Sequence, residues 1–395
     1  MFANTRINGS GCISDGKQSP ARPKEIHEAY VVVCDSRDAR YGEKSLILKN
    51  KKKLPKSGLD RILLRGTNWI GDAIMTLPAV ASVRAAYPKA HLAILAKPPV
   101  TDIYKLFSAA DEIIPYEQKF QNLPGVLRLA YELRRKKFDA AILLQNAIEA
   151  AIIAVVAGIG VRAGYNSDGR GLLLTHAIRR TREILKVHQI DYYLEMVKAL
   201  GCANVDRTMH METCISSATA KEILQQYVPE SGKTIMGIAP GATYGPAKRW
   251  LPERFALAGD CLSRDLNAQV VLFGGQPDWE TAEQVRKQSQ TGMLNLAGKT
   301  TLREAVYLIS QCRLFISNDS GLMHVAGALN IPTVAIFGST NPVTTSPAGE
   351  KTVLVRKPVS CSPCLKETCP TDFRCMTEIT ADDVAAAAST LVKKS

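Results

Sequence analysis

From residue 60 onward the chain alternates two apolar patterns. Short continuous runs, such as Ile62-Leu63-Leu64 and Ala93-Ile94-Leu95, read as strands buried on both faces. Longer stretches of mixed apolar and charged residues between them read as helices. The pattern predicts strands at Arg61–Arg65, His91–Lys97, Glu112–Tyr116 and Ala140–Leu144, with helices at Ala73–Tyr87, 100–107 and Leu123–Lys137. Pro88 stops the first helix. After a pause, the alternation restarts. It gives strands at Thr234–Pro240, Gln269–Gly275, Leu314–Asp319 and Thr333–Gly338, and helices at Pro252–Asp265, Glu280–Ser289, Leu302–Gln311, Gly321–Leu329 and Asp382–Lys393. Strands alternating with helices of roughly 10–15 residues mean βαβ units and parallel sheets.

The pause runs from about Arg179 to Pro229. It holds a helix at His188–Leu200 and then CANVDRTMHMETCISS, which suits an edge strand and linker. Residues 1–59 lack periodicity and end in KNKKKLPKSG. They are expected to be a flexible extension, or upstream sequence translated in error, with one short strand at Tyr30–Cys34. The expected organisation is therefore an extension (1–59) and two doubly wound Rossmann-like halves (60–215 and 216–395), with the active site in the cleft between the halves at the strand carboxyl ends.

Composition narrows the class. The 395 residues are 46 % hydrophobic and 22 % charged, ordinary for a globular protein. The net charge is +13, of which residues 1–60 contribute +5 from 12 basic and 7 acidic side chains. The remainder suits an anionic substrate or an acidic membrane surface. No basic block is interleaved with aromatics, so nucleic acid is not expected as a partner. The longest apolar run, Ala150 to Val161, is too short to span a bilayer and reads as a buried helix or helix–strand passage. The N-terminus has no apolar signal core, which points to a reducing cytoplasm.

Five segments carry chemistry. GTNWIGD (Gly66–Asp72) is a strand end, glycine turn and helix start. It exposes backbone N–H groups and Asp72 at the sheet mouth, with Asp72 equally readable as a helix N-cap. APGATYGPAKRW (Ala239–Trp250) brings Lys248 and Arg249 to a glycine-containing loop where a diphosphate could sit. SNDSGLMH (Ser317–His324) ends a strand at Asn318-Asp319 and opens a helix at Ser320-Gly321. That is an anion-binding arrangement, with His324 just over one turn in. FGGQPDWE (Phe273–Glu280) offers Asp278 or Glu280 to a ribose. Cys361, Cys364, Cys369 and Cys375 could hold a structural zinc, or be reduced thiols or a redox disulfide. P-loop, nucleophile-elbow, HExxH and DxD metal-clamp patterns are absent, so no metal or cofactor is expected for the reaction.

NWIGDAIMTLPAVASVRAAYP, PGATYGPAKRWLPERFALAG, NLAGKTTLREAV and NDSGLMHVAGALNIPTVAIFGSTNP together resemble glycosyltransferase family 9, within it the ADP-heptose:lipopolysaccharide heptosyltransferase II group. The likeness spans about residues 60–392. It implies a GT-B fold and inverting, metal-independent transfer of L-glycero-D-manno-heptose from ADP-heptose to heptosyl-Kdo2-lipid A, at the cytoplasmic face of the inner membrane. By position, Asp72 would be the catalytic base and Lys248 the diphosphate-binding lysine. Asp319, Ser320, Gly321 and His324 would form the nucleotide-sugar loop. Gly71, Gly241, Thr243 and Tyr244 would contact substrate, and Asp278 the ribose. The basic helix Leu123–Lys137 and the turn Val161–Gly171 are expected to meet the polyanionic acceptor or anionic lipid. A different lipopolysaccharide-core transferase, a nucleotide-sugar epimerase of the same architecture and a non-catalytic nucleotide-sugar binding module are the alternatives.

Overall fold

The computed structural model describes residues 30–33, 52–106, 110–120, 122–202, 207, 215–228 and 232–393. The expectation for residues 1–29 and 34–51 lies outside the described residues. The chain divides between residues 214 and 215 into two compact units, and the first strand, β1 (Tyr30–Val33), belongs with the second unit.

In the N-terminal unit, β2 (Arg61–Arg65), β3 (His91–Ala96), β4 (Glu112–Pro115), β5 (Ala140–Leu143), β6 (Val161–Tyr165) and β7 (His176–Ile178) form one sheet in the order β4-β3-β2-β5-β6-β7. Every pairing is parallel. The chain steps from β2 out to β4 and then returns to the other side of β2. The carboxyl ends of β2 and β5 therefore flank the point where strand order reverses, the usual ligand crevice of such a sheet. Leu63, Leu95, Leu129, Leu133 and Phe138 are among the residues that fill the core against the Leu123–Arg135 and Ile148–Val156 helices.

The C-terminal unit contains β8 (Thr234–Ala239), β9 (Ala268–Leu272), β10 (Leu294–Asn295), β11 (Cys312–Asn318), β12 (Thr333–Ile336) and β13 (Thr352–Arg356). Its order is β1-β13-β12-β11-β8-β9-β10, parallel throughout except for β1, which pairs antiparallel with β13. Here the order reverses between β8 and β11. Trp250 and Phe255 meet edge to face in the core beneath that point.

Several expectations change. Residues 52–59 are not loose. Leu54 and Leu59 are buried, the Leu54 N–H donates to the Leu200 carbonyl at 2.9 Å, and the Tyr87 hydroxyl donates to the Pro55 carbonyl. Val161–Tyr165, read as a turn, is strand β6, and a helix at Ser217–Tyr227 occupies part of the expected linker. The Ile148–Val156 helix is not fully buried, since Ile148, Ile152, Val155 and Val156 face outward. Among the described residues no helix is long and apolar enough to cross a membrane.

Candidate active site

Lys248 and Asp319 meet at the β8/β11 reversal of the C-terminal unit. Lys248 lies in the single turn Pro246–Lys248 after β8, and Asp319 follows the last residue of β11. The Lys248 Nζ donates to Asp319 Oδ2 at 2.7 Å, with the two side chains 14 % and 5 % exposed. Thr340, after β12, donates its hydroxyl to the same oxygen at 2.6 Å. The ammonium also stands 4.9 Å from the centre of the Tyr244 ring. Asn318 fixes the loop to the strand beneath it. Its Oδ1 accepts the Trp250 N–H at 3.0 Å, and its Nδ2 donates to the Pro240 carbonyl at 2.7 Å.

The helix Gly321–Ala328 starts here, and Ser320 at its N-cap makes no side-chain capping bond. The Ser320 hydroxyl instead lies 3.0 Å from that of Ser317. A helix terminus brings unpaired N–H donors and the positive end of the macrodipole, so cation and dipole converge on one spot. His324 is buried one turn further along. Burial pushes its pKa down to about 4, Lys248 adding to the effect and Asp319 opposing it.

The cysteine loop braces this arrangement. Gly245 is extended, and a Cβ there would run into the Glu367 carbonyl. That carbonyl accepts the Ala247 N–H at 2.9 Å, and the Tyr244 hydroxyl donates to the Leu365 carbonyl at 2.9 Å. Cys361, Cys364, Cys369 and Cys375 line one cavity of about 210 Å³ together with Ala247 and Arg374. They are free thiols, and among the described residues no group of three or more His, Cys, Asp or Glu is gathered to hold a metal ion. Burial pushes the Cys375 thiol up to about 11, whereas hydrogen bonds from Thr371 lower that of Cys369.

The structure separates the remaining candidates. Asp278 packs its carboxylate where a Cβ on Gly241 would sit, and its Oδ2 accepts the Gly275 N–H at 3.0 Å. It ties the loop after β9 to the loop after β8. Thr243 is exposed. Arg249 does not join Lys248, because its guanidinium turns back onto the Ala242 carbonyl at 3.2 Å. Thr340 and Asn318 emerge as site residues only in three dimensions, although both lie within the stretches that carry the resemblance.

In the N-terminal unit, Gly71 and Asp72 fall in the first turn of the helix Ile70–Ala86. The N-cap is Trp69, so Asp72 is not the cap, and it sits at the β2/β5 reversal on a helix whose N-cap side chain accepts no capping bond. Tyr193, fully buried, is close enough that the Asp72 charge adds to burial in raising the phenol's pKa. On the basic helix, Lys136 is tied to Glu112 at 2.5 Å and Arg128 to Glu132 at 3.3 Å. Arg134 and Arg135 are exposed with no ion-pair partner among the described residues.

Residues 126–373 match the model of glycosyltransferase family 9 (heptosyltransferase). The chain is 31 % identical over 307 residues to lipopolysaccharide heptosyltransferase 2 of Escherichia coli, covering 75 % of this chain and 88 % of that protein. It is 30 % identical, with the same coverage, to lipooligosaccharide heptosyltransferase 2 of Haemophilus influenzae. The solved structure of E. coli ADP-heptose LPS heptosyltransferase II superposes with a TM-score of 0.74 at 27 % identity, covering 85 % of this chain and 99 % of that one. A family 9 transferase from Veillonella parvula gives the same TM-score at 24 % identity and shares the fold. The chain has the GT-B fold, belongs to glycosyltransferase family 9, the heptosyltransferase family, and is a glycosyltransferase.

Proposed function

We propose that the chain transfers L-glycero-D-manno-heptose from ADP-heptose to the first heptose of the lipopolysaccharide inner core, heptosyl-Kdo2-lipid A, with inversion and without a required metal. The observation that carries this is the Lys248 ammonium, paired with Asp319 at an uncapped helix N-terminus. As the C1–O bond to the diphosphate breaks, negative charge grows on the β-phosphate oxygens. Lys248 and the N–H groups from Gly321 onward are the groups of this chain that meet that charge, and they bind it more strongly than the ground state. The acceptor hydroxyl oxygen forms the new bond to C1, ADP leaves with the electron pair of the old one, and the hydroxyl proton passes to the Asp72 carboxylate. A single displacement inverts C1. Neutral His324 packs under the loop, and Asp278 holds the glycine turns against each other. Thr243 and Tyr244 flank the phosphates, Tyr244 with its ring against Lys248. The reaction belongs at the cytoplasmic face of the inner membrane, where such an acceptor is anchored.

Incubation with ADP-heptose, with and without heptosyl-Kdo2-lipid A, tests this reading. ADP released only when acceptor is present supports it. Donor isomerised without acceptor would indicate an epimerase, and donor bound but unchanged would indicate a binding module.

A further inference from the structure

The N-terminal unit carries an apolar face that its own fold leaves uncovered. On the Leu123–Arg135 helix, Leu123, Leu127 and Tyr131 follow one another at four-residue spacing on the solvent side, Leu123 being 74 % exposed. The helix packed beside it, Ile148–Val156, turns Ile148, Ile152 and Val155 outward at the same helical period. The turn Arg170–Leu173 packs against that second helix and holds up Leu172, which is 98 % exposed. Single exposed leucines are ordinary, but three mutually packed elements that each expose large apolar side chains are not.

On the two helices of this face the unpaired charges are of one sign. Glu132 is the acid of the first helix and is paired with Arg128. Glu149 is the acid of the second and accepts the Tyr116 hydroxyl at 2.5 Å. Arg134 and Arg135 remain at the end of the first helix. The Arg134 guanidinium lies 3.9 Å from where a Gly158 Cβ would be, just past the second helix. Aliphatic side chains with a tyrosine, rimmed by arginines, match an anionic bilayer interface: the apolar tips enter the acyl boundary and the cations stay among the headgroups. A second copy would bring the same cationic rim, with no unpaired acid on these helices to meet it.

We infer that this face docks the N-terminal unit onto an anionic lipid surface, seating the enzyme beside the membrane that holds its acceptor. The choice of lipid as occupant rests on the proposed acceptor being a glycolipid, but the docking itself is measured without any acceptor. The full-length chain should sediment with vesicles containing about one-third phosphatidylglycerol and bind vesicles of phosphatidylcholine alone at least about 25-fold more weakly, the electrostatic share of the two arginines. Leu127→Asp with Leu172→Asp should reduce binding to the anionic vesicles about tenfold or more. Arg134→Glu with Arg135→Glu should reduce it by more than about 25-fold, the loss of two arginines at roughly fivefold each being the minimum for a charge reversal, with the wild-type difference shrinking in high salt. Thermal melting and ADP binding report that each variant is folded. Failure of wild type to bind anionic vesicles overturns the inference, as does binding unaffected by the apolar pair. Concentration-dependent dimerisation abolished by Leu127→Asp would overturn it in favour of a second copy. Vesicle binding with no heptosyl transfer would sink the proposed reaction and leave the docking face standing.

Discussion

His324 should make the C-terminal unit acid-labile in a defined window. The imidazole is buried within the Gly321–Ala328 helix, and burial holds its pKa at about 4 against an ordinary 6.5. A depressed histidine value means the unfolded chain binds the proton more readily than the folded one. Stability is therefore complete above pH 6.5 and drains away as pH falls from 6.5 toward 4. At pH 4.5 the unfolded imidazole is protonated about 100 to 1, whereas the folded one is only about a quarter protonated. The difference is about 2.5 kcal/mol lost from this one group. Other groups titrate in the same range, so the quantity to measure is a difference. Urea unfolding of wild type and of His324→Gln at pH 7 and pH 4.5 should show wild type losing about 2.5 kcal/mol more than the variant between the two values. The absolute cost of the substitution does not enter. Parallel pH dependences for the two proteins would refute the reasoning and place a hydrated or charge-compensated imidazole at this position.

Asp72→Asn should cut transfer by about 10²–10⁴-fold while leaving ADP-heptose affinity within a few fold, read from kcat and donor titration; near wild-type kcat would end the base assignment. Lys248→Ala should weaken ADP binding about 10- to 100-fold by calorimetry, the worth of one charge-assisted hydrogen bond of roughly 1.5–3 kcal/mol, and should lower kcat as well. Unchanged ADP affinity would reduce Lys248 to a partner of Asp319. Iodoacetamide near pH 8 should label Cys369 well before Cys375, because Thr371 stabilises the thiolate of the first and burial raises the second to about 11. Mass mapping in the reverse order would contradict the burial of Cys375.

Strand–turn–helix transitions were readable because each is local. The run Arg61–Arg65, the glycine turn and the apolar helix after it announce themselves within 20 residues, as do β8, β9, β11 and β12 with their helices. Strands β7 and β10, three and two residues long, hold too little pattern to see. The start of the Ile70–Ala86 helix was misplaced by three residues because its N-cap is Trp69, which gives no capping signal. Among the site residues, Lys248 and Asp319 could be named from their segments. Their 2.7 Å pairing across 71 residues could not, nor could the shared bond to Thr340. The diversion of Arg249 to Ala242 and of Lys136 to Glu112 likewise depends on partners that only the fold supplies. The apolar run from Ala150 to Val161 is a helix–strand passage, as its glycines allow, but hydrophobicity alone does not say which side of the helix finds a neighbour, so the outward Ile152, Val155 and Val156 are not legible in it.

The most direct measurement of the central claim is the fate of heptosyl-Kdo2-lipid A after incubation with ADP-heptose and this enzyme in excess EDTA. The account predicts an acceptor heavier by one heptose, joined with the anomeric configuration opposite to that of the donor, and one ADP released per sugar transferred. An acceptor that stays unmodified until Mg²⁺ is added, or a product that retains the donor's configuration, would contradict it.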